Sequence, residues 1–175
     1  MKRYIIESAL VASFGLALLA AGTGLAEATP VAPAVSTNAS VIEVGRRRAS
    51  HHIGFGWSGR EHQGAMRFRW IQHLEADLKF KVKAVTDLEV TFTAAPFYVS
   101  WRRQSVGAYV NGCFVTEWVC PDDPAFQEYQ MVVPARLLKP GRNTLTLRMA
   151  YRRRASARDR RQLALAVQKV ELRPR

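Results

Sequence analysis

The sequence predicts an all-β protein, an antiparallel β-sandwich of about eight short strands in one domain. Apolar and polar residues alternate over several short stretches, and no stretch keeps a helical period long enough to compete. Turn signals separate these stretches: Asn111-Gly112 supplies two residues that readily adopt positive φ, and Pro140-Gly141 indicates a second tight turn. The 175 residues are enough for one domain with one hydrophobic core.

Residues 1–28 have the pattern of a secretory signal peptide. Lys2 and Arg3 precede an apolar run from Ala9 to Ala21, and Ala26-Glu27-Ala28 provides a small-x-small cleavage site. The run is shorter than the ~20 apolar residues that a membrane span needs, so no stable span is expected after cleavage. The alternative is an uncleaved anchor. We expect an exported bacterial protein, periplasmic or secreted.

Residues 29–52 are rich in Pro, Ala, Ser and Thr and end in an arginine run, without a sustained period. This composition predicts a flexible tether, with the sandwich domain at residues 53–175. The chain has 26 Lys and Arg against 14 Asp and Glu, a net charge of +12. The signal segment holds two residues of each sign, so the exported part keeps that charge.

The first strands are expected at residues 78–83 and 88–93, where apolar and polar residues alternate. With Val85-Thr86-Asp87 as their connection, they suggest a hairpin with one solvent-exposed face. A further extended piece is expected at residues 97–101. Residues 105–110 and 114–119 follow as a pair across the Asn-Gly turn.

The later strands are expected at residues 128–133, 143–149 and 163–172, with a single helical turn within residues 134–138. In the last strand Val167 and Val170 fall in opposite phases. That slip indicates a β-bulge between them.

The segment Val110-Asn111-Gly112, together with VPARLLKPGRNTLTL at residues 133–147, resembles the galactose-binding-like β-sandwich, or jelly roll. Such modules lie beside the catalytic domains of many glycosidases and other carbohydrate-active proteins. The resemblance implies a jelly roll and a non-catalytic role in carbohydrate recognition.

A second set of residues is similar to sandwich modules attached to bacterial cell-envelope glycosyltransferases and polysaccharide-assembly proteins. These are Gly56-Trp57, Glu61 and Arg69-Trp70, with Asp159 and Arg161 ahead of a Leu-rich strand. Ala164 stands where those modules tend to carry glycine. This resemblance implies a role in handling envelope polysaccharide.

Aromatic rings, guanidinium groups and carboxylates are the groups that bind sugars, because a sugar presents an apolar face and a ring of hydroxyls. The candidate ligand-binding residues are therefore Trp57, Glu61, Arg69, Trp70, Asp159 and Arg161. The alternative is structural: both tryptophans fill the sandwich edge, and Glu61 bridges to Arg69 or Arg161.

A second aromatic group lies at residues 97–103. In a strand, Phe97, Val99 and Trp101 would share one face, leaving Tyr98 and Arg102 on the other as candidate ligand contacts. The alternative is an edge strand that arginine protects from pairing.

Cys113 and Cys120 form an even pair in an oxidising compartment, which suggests a disulfide. A continuous strand between them would hold their Cα atoms ~23 Å apart, whereas a disulfide needs ~7 Å or less. The alternative is two free, buried cysteines.

The arginine-rich loop around Arg152, Arg153, Arg154 and Arg158 is a candidate site for anionic surface polymers or lipid headgroups. The alternative is a solvated loop. Export argues against nucleic acid as a partner.

No cofactor, metal site or catalytic motif is indicated, since the four histidines lack metal-ligand spacing and no nucleophile elbow or phosphate loop occurs. Two functions stay open. One is a non-catalytic module that recognises carbohydrate or an anionic envelope polymer. The other is a structural sandwich that docks another envelope protein.

Overall fold

The structure is a computed structural model that describes residues 39–175, and the predicted signal peptide and residues 29–38 of the predicted tether lie outside them. Twelve β-strands and two short 3₁₀ helices make up this part of the chain. The helices are Arg47–His51 and Ala135–Leu137. The strands are β1 (Ser40–Glu43), β2 (Trp57–Gln63), β3 (Met66–Ile71), β4 (Glu75–Val82), β5 (Leu88–Pro96), β6 (Ser105–Val110), β7 (Cys113–Val119), β8 (Gln127–Val133), β9 (Gly141–Met149), β10 (Arg153–Arg154), β11 (Gln162–Leu163) and β12 (Leu165–Pro174).

Two antiparallel sheets form the predicted sandwich. One has the order β2-β3-β12-β5-β8, and β1 pairs with the second half of β12; the other has the order β4-β9-β6-β7. Between the sheets lies one apolar core, in which Val90 and Phe92 of the first sheet and Leu145 and Leu147 of the second are at most 1% exposed. Burying each such side chain contributes about 1.5 to 3 kcal/mol.

Several local expectations are confirmed. Asn111 and Gly112 have φ of 51° and 86°, which makes the tight β6–β7 hairpin. Gly141 has φ of 83° at the second turn. The register of β12 against β5 shifts between Val167 and Lys169, as the predicted bulge requires.

The predicted hairpin of residues 78–83 and 88–93 is wrong. Strand β4 pairs with β9, whereas β5 lies between β12 and β8 in the other sheet. Residues 83–87 therefore cross from one sheet to the other. Alternation identifies a strand and its buried face, but it carries no information about the neighbouring strand.

The predicted extended piece at residues 97–101 is a loop. The Tyr151 hydroxyl lies 3.1 Å from the carbonyl oxygens of both Phe97 and Arg102, so the backbone curls around it. The expected division of Phe97, Val99 and Trp101 from Tyr98 and Arg102 by strand faces does not apply.

The predicted tether ends earlier than residue 52. Strand β1 pairs with β12, and Val44 and Ala49 are buried in the core. The segment after β1 lies directly on β3: a Cβ at Gly45 would come within 2.3 Å of the Arg67 carbonyl carbon. The sandwich thus includes the residues from Ser40 onward.

The possible disulfide between Cys113 and Cys120 is not formed. Strand β7 runs unbroken from Cys113 to Val119, so the two thiols lie at its opposite ends. Cys120 is buried and free, as the alternative expected, whereas Cys113 is free but exposed. Within residues 39–175, none of the helices is long and apolar enough to cross a membrane.

Candidate functional site

Three loops meet at the end of the sandwich where β5, β7 and β9 finish. They comprise residues 97–104, 120–126 and 150–162, the last of which contains β10 and the first residue of β11, and we call them the crossover loops. Cys120 N donates to Gln104 O at 2.8 Å, which joins the second loop to the first, and Ala150 N donates at 3.0 Å to the carbonyl of Ser105, the first residue of β6. This end of the molecule is thus built from three distant parts of the sequence.

Gln104 is the polar centre of the crossover loops. Its side chain is 1% exposed. Its Nε2 donates to the Tyr151 carbonyl at 2.8 Å and lies 3.2 Å from the Ala164 carbonyl, while its Oε1 accepts from Tyr151 N at 3.2 Å. A buried amide with its donor and acceptor both used fixes the positions of the chains that it joins.

Tyr151 extends this framework toward the surface. Burial raises the pKa of its phenol, and its hydroxyl touches the two carbonyls that bracket residues 97–102. The Arg102 guanidinium carbon lies 5.4 Å from the centre of the Tyr151 ring, within cation–π range. Arg102 therefore packs on the framework of the loop.

Two aromatic side chains project from the loop that Tyr151 holds. Trp101 is 67% exposed and Tyr98 is 42% exposed. The Arg153 guanidinium carbon lies 5.3 Å from the Trp101 ring centre, and the Asp122 carboxylate raises the pKa of Tyr98 by its charge and a hydrogen bond. Aromatic planes beside a guanidinium and a carboxylate can bind a ligand with one apolar face and several hydroxyls.

Trp101 was missed as a ligand contact because its alternation with Phe97 and Val99 indicated a core position. Its immediate neighbours carry the signal that points the other way. Ser100 precedes it and Arg102-Arg103 follows it, and a tryptophan among polar and charged residues is more typical of a surface loop.

The two tryptophans predicted to bind sugar occupy structural positions. Trp57 packs against the main core, and its Nε1 donates to the Asp77 carbonyl at 2.8 Å. The Trp70 ring lies edge-on to Phe68 and Phe97, at 6.0 and 5.7 Å between centroids, in a second and smaller apolar cluster. Both positions agree with the structural alternative.

Glu61, Asp159 and Arg161 are brought together as an ion triad. Arg161 Nη1 lies 2.7 Å from Glu61 Oε1, and Arg161 Nη2 lies 2.6 Å from Asp159 Oδ2. The hydrogen bonds with Asp159, and then with Glu61, raise the pKa of Arg161, and those from Arg161 hold the pKa of Asp159 below its usual range. The triad ties β2 to the third crossover loop, which is the bridge that the structural alternative describes.

Arg69 is buried and does not join that triad. Its Nε donates to the Val44 carbonyl at 3.0 Å, and its Nη1 donates to the Ser58 carbonyl at 2.8 Å. Burial, and secondly the charge of Arg60, lower the pKa of Arg69. Arg69 thus fastens β1 and β2 to β3.

A broad cleft of about 990 Å³ opens beside Arg69, between the segment after β1 and strands β2 and β3. We call it the arginine cleft, because six arginines line it: Arg46, Arg47, Arg48, Arg60, Arg67 and Arg69. The remaining lining includes Glu43, Glu61 and His62. The cleft is therefore strongly cationic.

All four arginines of the predicted anionic-partner loop are exposed, and three of them contact other residues. Arg152 Nη1 donates to the Gln72 carbonyl at 3.2 Å, and Arg154 Nη2 donates to the Ala157 carbonyl at 2.9 Å. Arg153 lies against Trp101, and Arg158 is exposed. An anionic partner for these four residues stays a prediction.

No protein-family model and no curated protein matches this chain. Solved structures do match, and they include carbohydrate-binding modules. The CBM36-1 domain of a multidomain xylanase from the hindgut metagenome of Trinervitermes trinervoides has a TM-score of 0.53 at 12% identity, over 77% of this chain and 96% of that one. The C-terminal CBM6 of a marine laminarinase from Zobellia galactanivorans has a TM-score of 0.51 at 8% identity, over 78% and 99%.

A larger enzyme, the GH26-CBM35 β-(1,4)-mannanase of Podospora anserina, matches with a TM-score of 0.51 at 11% identity, over 78% of this chain. The chain spans only 28% of the length of that enzyme. At such identities the comparisons show the fold. They confirm the β-sandwich fold that the sequence predicts.

Proposed function

We propose that this protein is an exported, non-catalytic carbohydrate-recognition module that acts on envelope polysaccharide and holds sugar on Trp101 and Tyr98. The observation that carries the proposal is the exposure of Trp101 on a loop fixed by Gln104 and Tyr151. The shared fold with carbohydrate-binding modules supports the general class of ligand.

The physical case rests on preorganisation. An exposed tryptophan normally gains from burial, and here neighbouring hydrogen bonds hold the backbone on both sides of it in the absence of ligand. A sugar that stacks on the ring therefore buries apolar surface without paying for the ordering of the loop. Arg153 and Asp122 stand beside the two rings and can bond to sugar hydroxyls.

The proposed role involves binding alone. We expect the domain to bring a polysaccharide close to a separate enzyme or assembly protein, without cleaving it. Export follows from the predicted signal peptide at residues 1–28, and recognition of envelope polysaccharide follows from the resemblance at Trp57, Glu61 and Arg69. In the proposal those three residues support the fold, and the sugar lies at the crossover loops.

Trp101→Ala tests the proposal. We expect the variant to lose at least about 2 kcal/mol of glycan-binding free energy, about thirtyfold in affinity, because a central aromatic contact disappears. Binding is measured on an array of neutral and acidic oligosaccharides, then by calorimetry with the best ligand. The melting temperature should change little, since the ring is mostly exposed.

Phe114→Ala is the matched control. Phe114 is 57% exposed on β7 and lies outside the crossover loops, so its removal should leave glycan binding unchanged. Equal losses in the two variants would contradict a site at Trp101. A wild-type domain that binds no glycan would favour the protein-docking alternative.

A further inference from the structure

The arginine cleft shares no residue with the crossover loops, and close backbone packing and buried hydrogen bonds form its base. Gly45 lies directly against the backbone of β3, which holds the following arginines over that strand. Arg69 bonds to the carbonyls of Val44 and Ser58 at the base of the cleft. The cationic groups therefore converge on a space that exists before any ligand arrives.

The charges in the cleft are poorly balanced. Glu43 pairs with Arg46 at 3.4 Å, and Glu61 pairs with Arg161, which lies outside the cleft, at 2.7 Å. Among residues 39–175, no carboxylate pairs with Arg47, Arg48, Arg60 or Arg67. Both acidic residues of the lining are thus already engaged.

The strand register makes this imbalance more pronounced. Arg60 of β2 stands directly opposite Arg69 of β3. Like charges at directly opposed positions destabilise an antiparallel pair. An anion bound beside these side chains would relieve that repulsion. The arrangement of like charges is thus explained by ligand binding, whereas packing alone does not explain it.

We propose that the arginine cleft binds an acidic oligosaccharide, whose carboxylates are held by Arg47, Arg60 and Arg67. Guanidinium groups bind carboxylates through paired hydrogen bonds, and the volume of about 990 Å³ is suited to several sugar units. A concave site fits a polymer chain better than the flat surface of a membrane. The inference rests on the proposed function and adds a second site with a distinct ligand class.

The test uses the full mature chain and two tetrasaccharides that differ in their carboxylates, β-1,4-linked tetramannuronate and β-1,4-linked mannotetraose. We expect calorimetry to detect tetramannuronate at the cleft and to show at least tenfold weaker binding in 1 M salt than in 0.1 M salt. The reason is that the screening length shrinks from about 10 Å to about 3 Å. Tetramannuronate should also raise the melting temperature more than mannotetraose does.

The double variant Arg60→Gln/Arg67→Gln should weaken tetramannuronate binding about tenfold or more, because two charge-assisted contacts are lost. Both side chains are exposed, and their removal relieves repulsion, so the melting temperature of the free variant should hold or rise. Arg142→Gln, an exposed arginine on β9 outside the cleft, is the control and should bind like the wild type.

The inference fails if the double variant keeps its affinity, if Arg142→Gln loses as much affinity as the double variant, or if the protein binds phosphatidylglycerol vesicles without binding tetramannuronate. Trp101→Ala separates the two proposals. If it abolishes neutral glycan binding while tetramannuronate still binds, both sites stand. If it also abolishes tetramannuronate binding, the acidic sugar lies at the crossover loops and the cleft proposal fails. Retained tetramannuronate binding with no neutral ligand at all would remove only the site at Trp101.

Discussion

At the scale of single residues, the free energy of unfolding depends on polar side chains that are enclosed. Gln104 is such a residue. Its side-chain amide bonds to both the carbonyl and the N–H of Tyr151, and it also reaches the carbonyl of Ala164, which precedes β12. Removing the amide would leave several backbone groups without a hydrogen-bond partner, and each buried group without a partner costs about 1 to 3 kcal/mol.

Gln104→Leu should therefore lower the free energy of unfolding by about 2 to 4 kcal/mol, because the carbonyl and N–H of Tyr151 lose their partner together. Urea denaturation measures the loss. Gln130→Leu, at an exposed position of β8, should change the same quantity by less than about 0.5 kcal/mol. Similar values for the two variants would mean that Gln104 does not join the crossover loops.

Residue type alone could not show which tryptophans pack in the fold and which one is exposed. Trp57, Trp70 and Trp101 are the same side chain, and their environments differ because of the backbone that carries them. Trp57 meets the core from the start of β2, whereas Trp101 stands on a loop that the sequence suggests is a strand. The curvature of that loop depends on Tyr151, fifty positions later in the chain.

At the scale of elements, alternation predicted most of the strands correctly, and dipeptides predicted the turns. Both signals are local: β9 has its buried residues at Leu145, Leu147 and Met149 as its period requires, and Asn111-Gly112 closes its hairpin. Pairing across the sandwich is set by the whole core. For that reason β4 and β5 were placed together from the sequence although they lie in different sheets.

Strand β9 offers a test of which of its side chains face the core. Leu145→Ala should lower the free energy of unfolding by about 2 to 4 kcal/mol, because Leu145 is 1% exposed between two neighbouring strands. Thr146→Ala should cost about 1 kcal/mol, through the loss of its 2.7 Å hydrogen bond to Asp77. Thermal or urea unfolding of both variants gives the comparison, and equal costs would contradict the observed burial.

At the scale of the whole molecule, the candidate site at the crossover loops and the arginine cleft were only partly predictable. Arg46, Arg47 and Arg48 lie in a segment without periodicity, which indicated a tether. They reach the cleft because β1 pairs with β12 and because Gly45 fits against β3. The first of these contacts bridges more than a hundred positions of the chain, and the local pattern around the arginines reveals neither.

Export is also a property of the whole chain, and it can be tested directly. If the signal peptide is cleaved after Ala28, the mature protein should begin at Thr29, and cleavage after Ala26 would make it begin at Glu27. N-terminal sequencing of protein from the producing cell distinguishes these sites. Intact Met1 on membrane-bound material would show an uncleaved anchor.

The separation of the two thiols along β7 has a practical consequence. Burial raises the pKa of Cys120, while Cys113 lies exposed beside the Asn-Gly turn. A maleimide dye would therefore attach to one defined point of the native protein. Strand β6 leads from the Trp101 loop to that turn, about 20 Å for its six residues, so the dye would stay clear of the proposed sugar. Cys113 can therefore carry a dye for fluorescence anisotropy, and it can fix the domain to a sensor surface in one orientation.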